Sequence, residues 1–177
     1  LNDINFIFCN HPLYQRKVDE DYEVEYQEAG LHHSCALFSY EDMERGKLSL
    51  FGEEISGLTI YRGWMMKPEM YSDFYTLLEQ KGIYLINTPE EYERYHTLPG
   101  WYDDFADETA QSVWETEGNV ENALLKAKQL SGSYIVKDYV KSRKHEWYDA
   151  CFISNIADVA NTASVIKNFV ERQGDSL

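Results

Sequence analysis

The sequence predicts two unlike halves: an α/β layer over residues 1–95 and an α+β lobe over residues 96–177. Three observations carry this. Short apolar runs alternate with helical stripes as far as residue 95. A stretch rich in turn formers, "HTLPGWYDDFADETAQ", fills 96–111 and marks the boundary. Beyond it the order changes to strand, helix, strand, strand, helix.

In the first half, "INFIFCN" (4–10) reads as a buried strand and "HPLYQRKVDED" (11–21) as a polar loop. In "DYEVEYQEAG" (21–30), Tyr22, Val24 and Tyr26 alternate as in a strand. Its glutamates and closing Gly30 instead suit a capped helix, the preferred reading. "CALFS" (35–39) and "LTIYRGWMM" (58–66) are further strands, the second with its loop. "KPEMYSDFYTLLEQKG" (67–82) is the clearest helix. Pro68 suits its first turn, Tyr71, Phe74, Tyr75 and Leu78 form one stripe, and Gly82 ends it. "IYLIN" (83–87) is a short buried strand. "TPEEYERY" then opens a helix with Thr88 as cap, Pro89 at the first position and Glu91 closing the box. This alternation predicts parallel pairing.

In the second half, "SVWETE" (112–117) reads as a strand. "NVENALLKAKQL" (119–130) reads as a helix capped by Asn119, with Leu124, Leu125 and Leu130 inward. "YIVKDYV" (134–140) is a strand and "WYDACFIS" (147–154) its partner. "DVANTASVIKNFVERQG" (158–174) is a helix with Val159, Ala163, Ile166, Phe169 and Val170 on one face.

Charge and composition narrow the function classes. The chain has 177 residues and a net charge of −15, which argues against a nucleic-acid backbone as partner. No apolar run is long enough to span a bilayer, and no signal peptide is present. The 3 cysteines, Cys9, Cys35 and Cys151, are widely spaced and form neither a disulfide framework nor a zinc motif, so a reducing, cytoplasmic setting is expected. Aromatics make up 15% and include 14 tyrosines, residues suited to cores and groove rims. His11, His32, His33 and His96 lack the companions of a metal set and read as polar structure. The acidic pairs Asp103–Asp104 and Glu53–Glu54 read as solvated. The signatures of serine hydrolases, zincins, P-loop proteins and dinucleotide-binding folds are missing.

Against this acidic background "YIVKDYVKSRKHEW" (134–147) gathers positive charge. As a strand it points Lys137, Tyr139 and Lys141 to one face. It reads either as a grip for a polyphosphate, with Ser142 adding a hydroxyl, or as a lysine-decorated edge strand. "RGW" at 62–64 also reads two ways. Arg62 forms a two-pronged bond to a carboxylate or phosphate, with Gly63 turning the chain and Trp64 covering a ligand; or it is a strand-end turn with a packed tryptophan.

Taken in order, "YRGWMM" (61–66), the stretch 86–115 from "INTPEEYERY" to "SVWE", the following helix and "YIVKDYVKSRKHEW" resemble the ATP-grasp superfamily, in the clade named for two arginines and a lysine. The resemblance covers most of the chain, most clearly from about residue 58. It implies a Rossmann-like pre-ATP-grasp domain over 1–95 and the N-terminal part of an ATP-grasp fold over 96–177. It also implies an ATP- and Mg²⁺-dependent ligase that joins a carboxylate to an amine. On this resemblance Lys137 reaches the ATP phosphates, and Lys141, Ser142, Lys144 and His145 belong to the adjoining phosphate-side loop. Arg62, with Gly63 and Trp64, lies on the substrate side. No metal ligands are expected in this chain. The grasp fold is expected to continue past Leu177, so the chain reads as a portion that does not catalyse alone. A different class competes with this reading: a non-catalytic, acidic, tyrosine-rich protein-interaction module.

Overall fold

The computed structural model describes residues 4–139 and 144–173. The chain divides into two units, Leu1–Glu93 and Arg94–Leu177.

The first unit is mixed α/β, built on a six-stranded sheet. Strand β1 (Asn5–His11) lies at its centre. Strands β3 (Cys35–Phe38) and β5 (Gly57–Arg62) flank it on either side, both parallel to it. Strand β6 (Ile83–Leu85) continues in parallel beyond β5, and β4 (Leu50–Gly52) closes the other edge antiparallel to β3. Strand β2 (Tyr14–Val18) folds back on the end of β1. This corrects the loop expected over 11–21. All of β2 except Val18 is exposed, so its sequence carries no apolar alternation to betray it.

Burial explains why β1 and β3 read as near-continuous apolar runs: both of their faces are covered. Ile7, Cys9, Ala36 and Phe38 face helix α3 (Pro68–Glu79), meeting Tyr71, Phe74 and Leu78. Phe8, Cys35 and Leu37 face the opposite way, toward Tyr22 and toward Tyr26 and Ala29 of helix α1 (Glu23–Ala29). Phe74 and Leu78 are fully buried, each contributing about 1.5–3 kcal/mol. Gly30 closes α1 in right-handed geometry, so it is no left-handed cap. Short helix α2 (Tyr40–Met43) follows β3, capped by Ser39, whose hydroxyl accepts from the Asp42 N–H.

The connections of this sheet leave in opposite directions. From β1 the chain passes through α1 to β3; from β5 it passes through α3 to β6. The carboxyl ends of β1 and β5 therefore flank the reversal point, where open α/β sheets form their crevices.

The division between units falls within helix α4 (Pro89–His96). Its capping box forms as expected: Thr88 Oγ1 accepts from the Glu91 N–H at 3.2 Å, and Glu91 accepts from the Thr88 N–H at 2.9 Å.

The second unit packs helix α6 (Val120–Ala127) and helix α7 (Val159–Gln173) with a minimal hairpin, β7 (Tyr134–Ile135) and β8 (Phe152–Ile153). Helix α5 (Leu98–Trp101) precedes them in the chain. Ile153, Val165 and Ile166 form the core, with Val120, Ala123, Leu124, Val136, Ile156 and Val170 against them. Asn119 caps α6, its Oδ1 accepting from the Asn122 N–H. Three expectations change here. "SVWETE" forms no strand among the described residues. Of the expected 134–140 strand, only Tyr134–Ile135 is strand among the described residues. Trp147–Cys151 forms a π-helical turn before β8 instead of a straight partner strand. On α6, Leu125 is exposed; on α7, Val159 is exposed and Val165 is buried in its place.

Candidate functional site

Two regions hold the residues singled out from the sequence, one in each unit.

In the second unit a cavity of about 360 Å³ opens against the core. That lies within the range that small ligands use. Its apolar wall includes Trp101, Trp114, Ile153, Ile166 and Phe169. Its polar wall includes Glu115, Lys126, Lys137, Asp138 and Tyr139. The unpaired stretch at 109–115 forms one side and is tied down by hydrogen bonds. Ser112 N–H donates to Tyr102 Oη at 3.0 Å, and Tyr139 Oη donates to the Glu115 carbonyl at 3.1 Å. Leu98 N–H donates to the Tyr139 carbonyl at 3.1 Å, fixing the chain just after Lys137.

Lys137 is half-buried on this wall. It stands outside β7, so the strand alternation expected from the sequence does not aim it. Lys126 is the residue that sequence reasoning missed. Its Nζ donates to the Trp114 carbonyl at 2.9 Å, using one of three N–H bonds of the ammonium. The signal was present: Ala123, Lys126, Ala127 and Leu130 fall on one helical stripe, and all four line the cavity. A lysine within an inward stripe is the mark of a charge turned toward the interior. Beside it, burial raises the Glu115 pKa, but hydrogen bonds outweigh this. Glu115 Oε2 accepts from the N–H groups of Asn119 and Glu117, both at 2.8 Å, and with the charge of Lys126 they hold the carboxyl below its usual range.

His145 is exposed, 3.4 Å from a Glu146 carboxyl oxygen, and is not among the cavity-lining residues. Lys144 opens a 3₁₀ turn, of which only its backbone is described. Lys141 and Ser142 lie outside the described residues. Among the described residues there is no cluster of acidic, histidine or cysteine side chains able to hold a metal ion. Among them, too, no helix is long and apolar enough to cross a membrane.

In the first unit Arg62, Gly63 and Trp64 follow one another at the carboxyl end of β5, beside the reversal point. The Arg62 guanidinium is already engaged: Nε and Nη2 both donate to the Glu25 carboxylate, the second at 3.0 Å. Gly63 has a packing role instead of a turning one. A Cβ there would lie 2.5 Å from Cys9 Sγ and 2.8 Å from the Tyr61 ring. Trp64 is half-exposed. Its indole N–H donates to Asp19 Oδ2 at 3.3 Å, and its backbone N–H donates to Cys9 Sγ at 3.3 Å.

The loop is braced by tyrosines. Tyr61 Oη donates to the Trp64 carbonyl, Tyr40 Oη to the Met65 carbonyl at 2.9 Å, and Tyr92 Oη to the Met66 carbonyl at 3.0 Å. Burial pushes the Cys9 thiol up to about 12 and the Tyr40 phenol up to about 12, so both stay protonated. Cys9 is therefore an inert packing thiol.

Residues 125–177 match a family described as an ATP-grasp domain, family 3 of the clade named for two arginines and a lysine. The matched segment contains both Lys126 and Lys137. The match does not reach residues 58–124, nor Arg62. Comparison with curated proteins and with solved structures returns no match.

Proposed function

We propose that this protein holds the phosphates of ATP through Lys137 and Lys126, as part of an ATP-dependent carboxylate–amine ligase of ATP-grasp type. One observation carries the reading: two lysines line a single cavity within the unit that bears the ATP-grasp match. Ammonium groups on flexible stems bind phosphate as point charges. The apolar remainder of the cavity, with Trp101 and Trp114, suits a flat ring. Lys141, Ser142, Lys144 and His145 are assigned to the phosphate-side loop that follows. Residues 1–95 act as a Rossmann-like domain before the grasp fold, with Arg62 on the substrate side.

ATP-grasp proteins generally use Mg²⁺ with ATP, a pairing that neutralises phosphate charge. The described residues do not fit a metal site, so no ligands and no step are assigned to the ion.

Affinity for nucleotide tests the assignment. Lys137→Ala should weaken ATP binding about tenfold or more, the loss of one charge-assisted contact. Lys126→Met keeps the stem's packing and should weaken binding by a similar factor. Unchanged affinity in both variants rejects the reading in favour of an interaction module.

A further inference from the structure

Arg62 ends β5 at the reversal point of the sheet, next to a loop held by three tyrosine hydroxyls. A planar guanidinium fork matches a carboxylate with two parallel hydrogen bonds. Here the chain supplies that carboxylate itself, from Glu25 on α1.

We propose that Glu25 is an internal competitor at Arg62, occupying a carboxylate seat that a small carboxylate ligand takes by exchange. The proposal rests on the reading of Arg62 as a substrate-side residue, and adds which group competes for it.

Three features favour exchange over a fixed tie. The pair is open to solvent, with Arg62 and Glu25 side chains 48% and 40% exposed, so a dissolved carboxylate reaches the guanidinium. Nor does α1 depend on the pair for attachment. Tyr26 meets Phe8 edge-on at 5.4 Å, and Tyr22, next to the helix, meets Trp64 edge-on at 6.2 Å. Lastly, the surroundings are already acidic. Tyr22 stands within the fields of Arg62, Asp19 and Asp21. A second carboxylate crowded beside the paired Glu25 meets more like charge than one that turns Glu25 out toward solvent.

The test is an NMR titration of the ¹⁵N-labelled protein with acetate, with inorganic phosphate in parallel. The Arg62 Nε–H and the Trp64 indole N–H report the seat. Acetate should give a saturable shift in the unsubstituted protein. Glu25→Gln should tighten the acetate midpoint roughly two- to fivefold, the worth of an exposed pair. Arg62→Gln, read at Trp64, should abolish the response. Glu25→Asp, one methylene shorter, should tighten it in the same direction and serves if the Gln variant does not fold. An acetate midpoint unchanged by both Glu25 variants overturns the proposal. So does a response that survives Arg62→Gln, or a phosphate midpoint tighter than the acetate one. The readout is independent of nucleotide, so loss of the ATP reading through Lys137→Ala leaves this result standing, and the reverse holds equally.

Discussion

At Gly63 the space for a side chain is already taken by Cys9 Sγ and the Tyr61 ring, at 2.5 and 2.8 Å from where a Cβ would sit. Both neighbours are held. Cys9 is fully buried and accepts from the Trp64 N–H; the Tyr61 hydroxyl donates to the Trp64 carbonyl. Gly63→Ala must therefore displace the strand end or the loop, and should destabilise the protein by about 1–3 kcal/mol. Urea denaturation measures this. Adding Cys9→Ala should recover part of the loss, because the two sites touch. A Gly63→Ala protein with an unshifted urea midpoint would mean the loop is looser than described. Residue by residue, the sequence revealed Lys137 as a charge out of keeping with its chain. It hid the engagement of Arg62 by Glu25, since those residues stand 37 positions apart. Only the pairing of β5 beside β1 brings the end of β5 near α1.

Among the elements, α4 shows how a local signal leads to a distant constraint. Its capping box was legible, because every partner lies within four residues. What the box positions was not. Tyr92 stacks on Tyr71 at 3.8 Å, and its hydroxyl both donates to the Met66 carbonyl and accepts from the Met66 N–H. Met66 is buried, so water does not substitute. Tyr92→Phe keeps the stack but strips both partners, and should cost about 1–3 kcal/mol by thermal or urea unfolding. An effect near zero would show that Met66 finds other partners. Strands β1, β3, β5 and β6 and helix α3 were legible for a related reason: burial writes itself into local periodicity. Strand β2 was not, since exposure erases that periodicity. "SVWETE" misled in the opposite way. Its apolar residues, Val113 and Trp114, line a cavity and join no ladder.

For the whole molecule, burial of ionisable groups sets the alkaline limit of stability. Desolvation raises Cys9 from the ordinary 9.0 to about 12 and Tyr40 from 10.0 to about 12; Tyr61 and Tyr71 are raised as well. Well below pH 9 these groups are protonated folded and unfolded alike, and contribute no pH dependence. Between pH 9 and 12 the unfolded chain releases protons that the folded chain keeps, so stability falls as pH rises. Urea midpoints at pH 8, 9.5 and 10.5, in salt enough to screen the net charge of −15, should decline only above pH 9. A flat profile would contradict the burial of this cluster.

The alternation of the first half and the changed order of the second were legible at this scale, whereas the cavity with its paired lysines was not. Lys126 and Lys137 come from a helix and from a segment beyond a two-residue strand, and only their packing brings both to one cavity. The most direct measurement is a calorimetric titration of Mg·ATP into the protein, beside its Lys137→Ala variant. Saturable binding is expected, weakened about tenfold or more by the substitution. Binding that is indifferent to Lys137, or a folded protein that takes up no ATP, would contradict it.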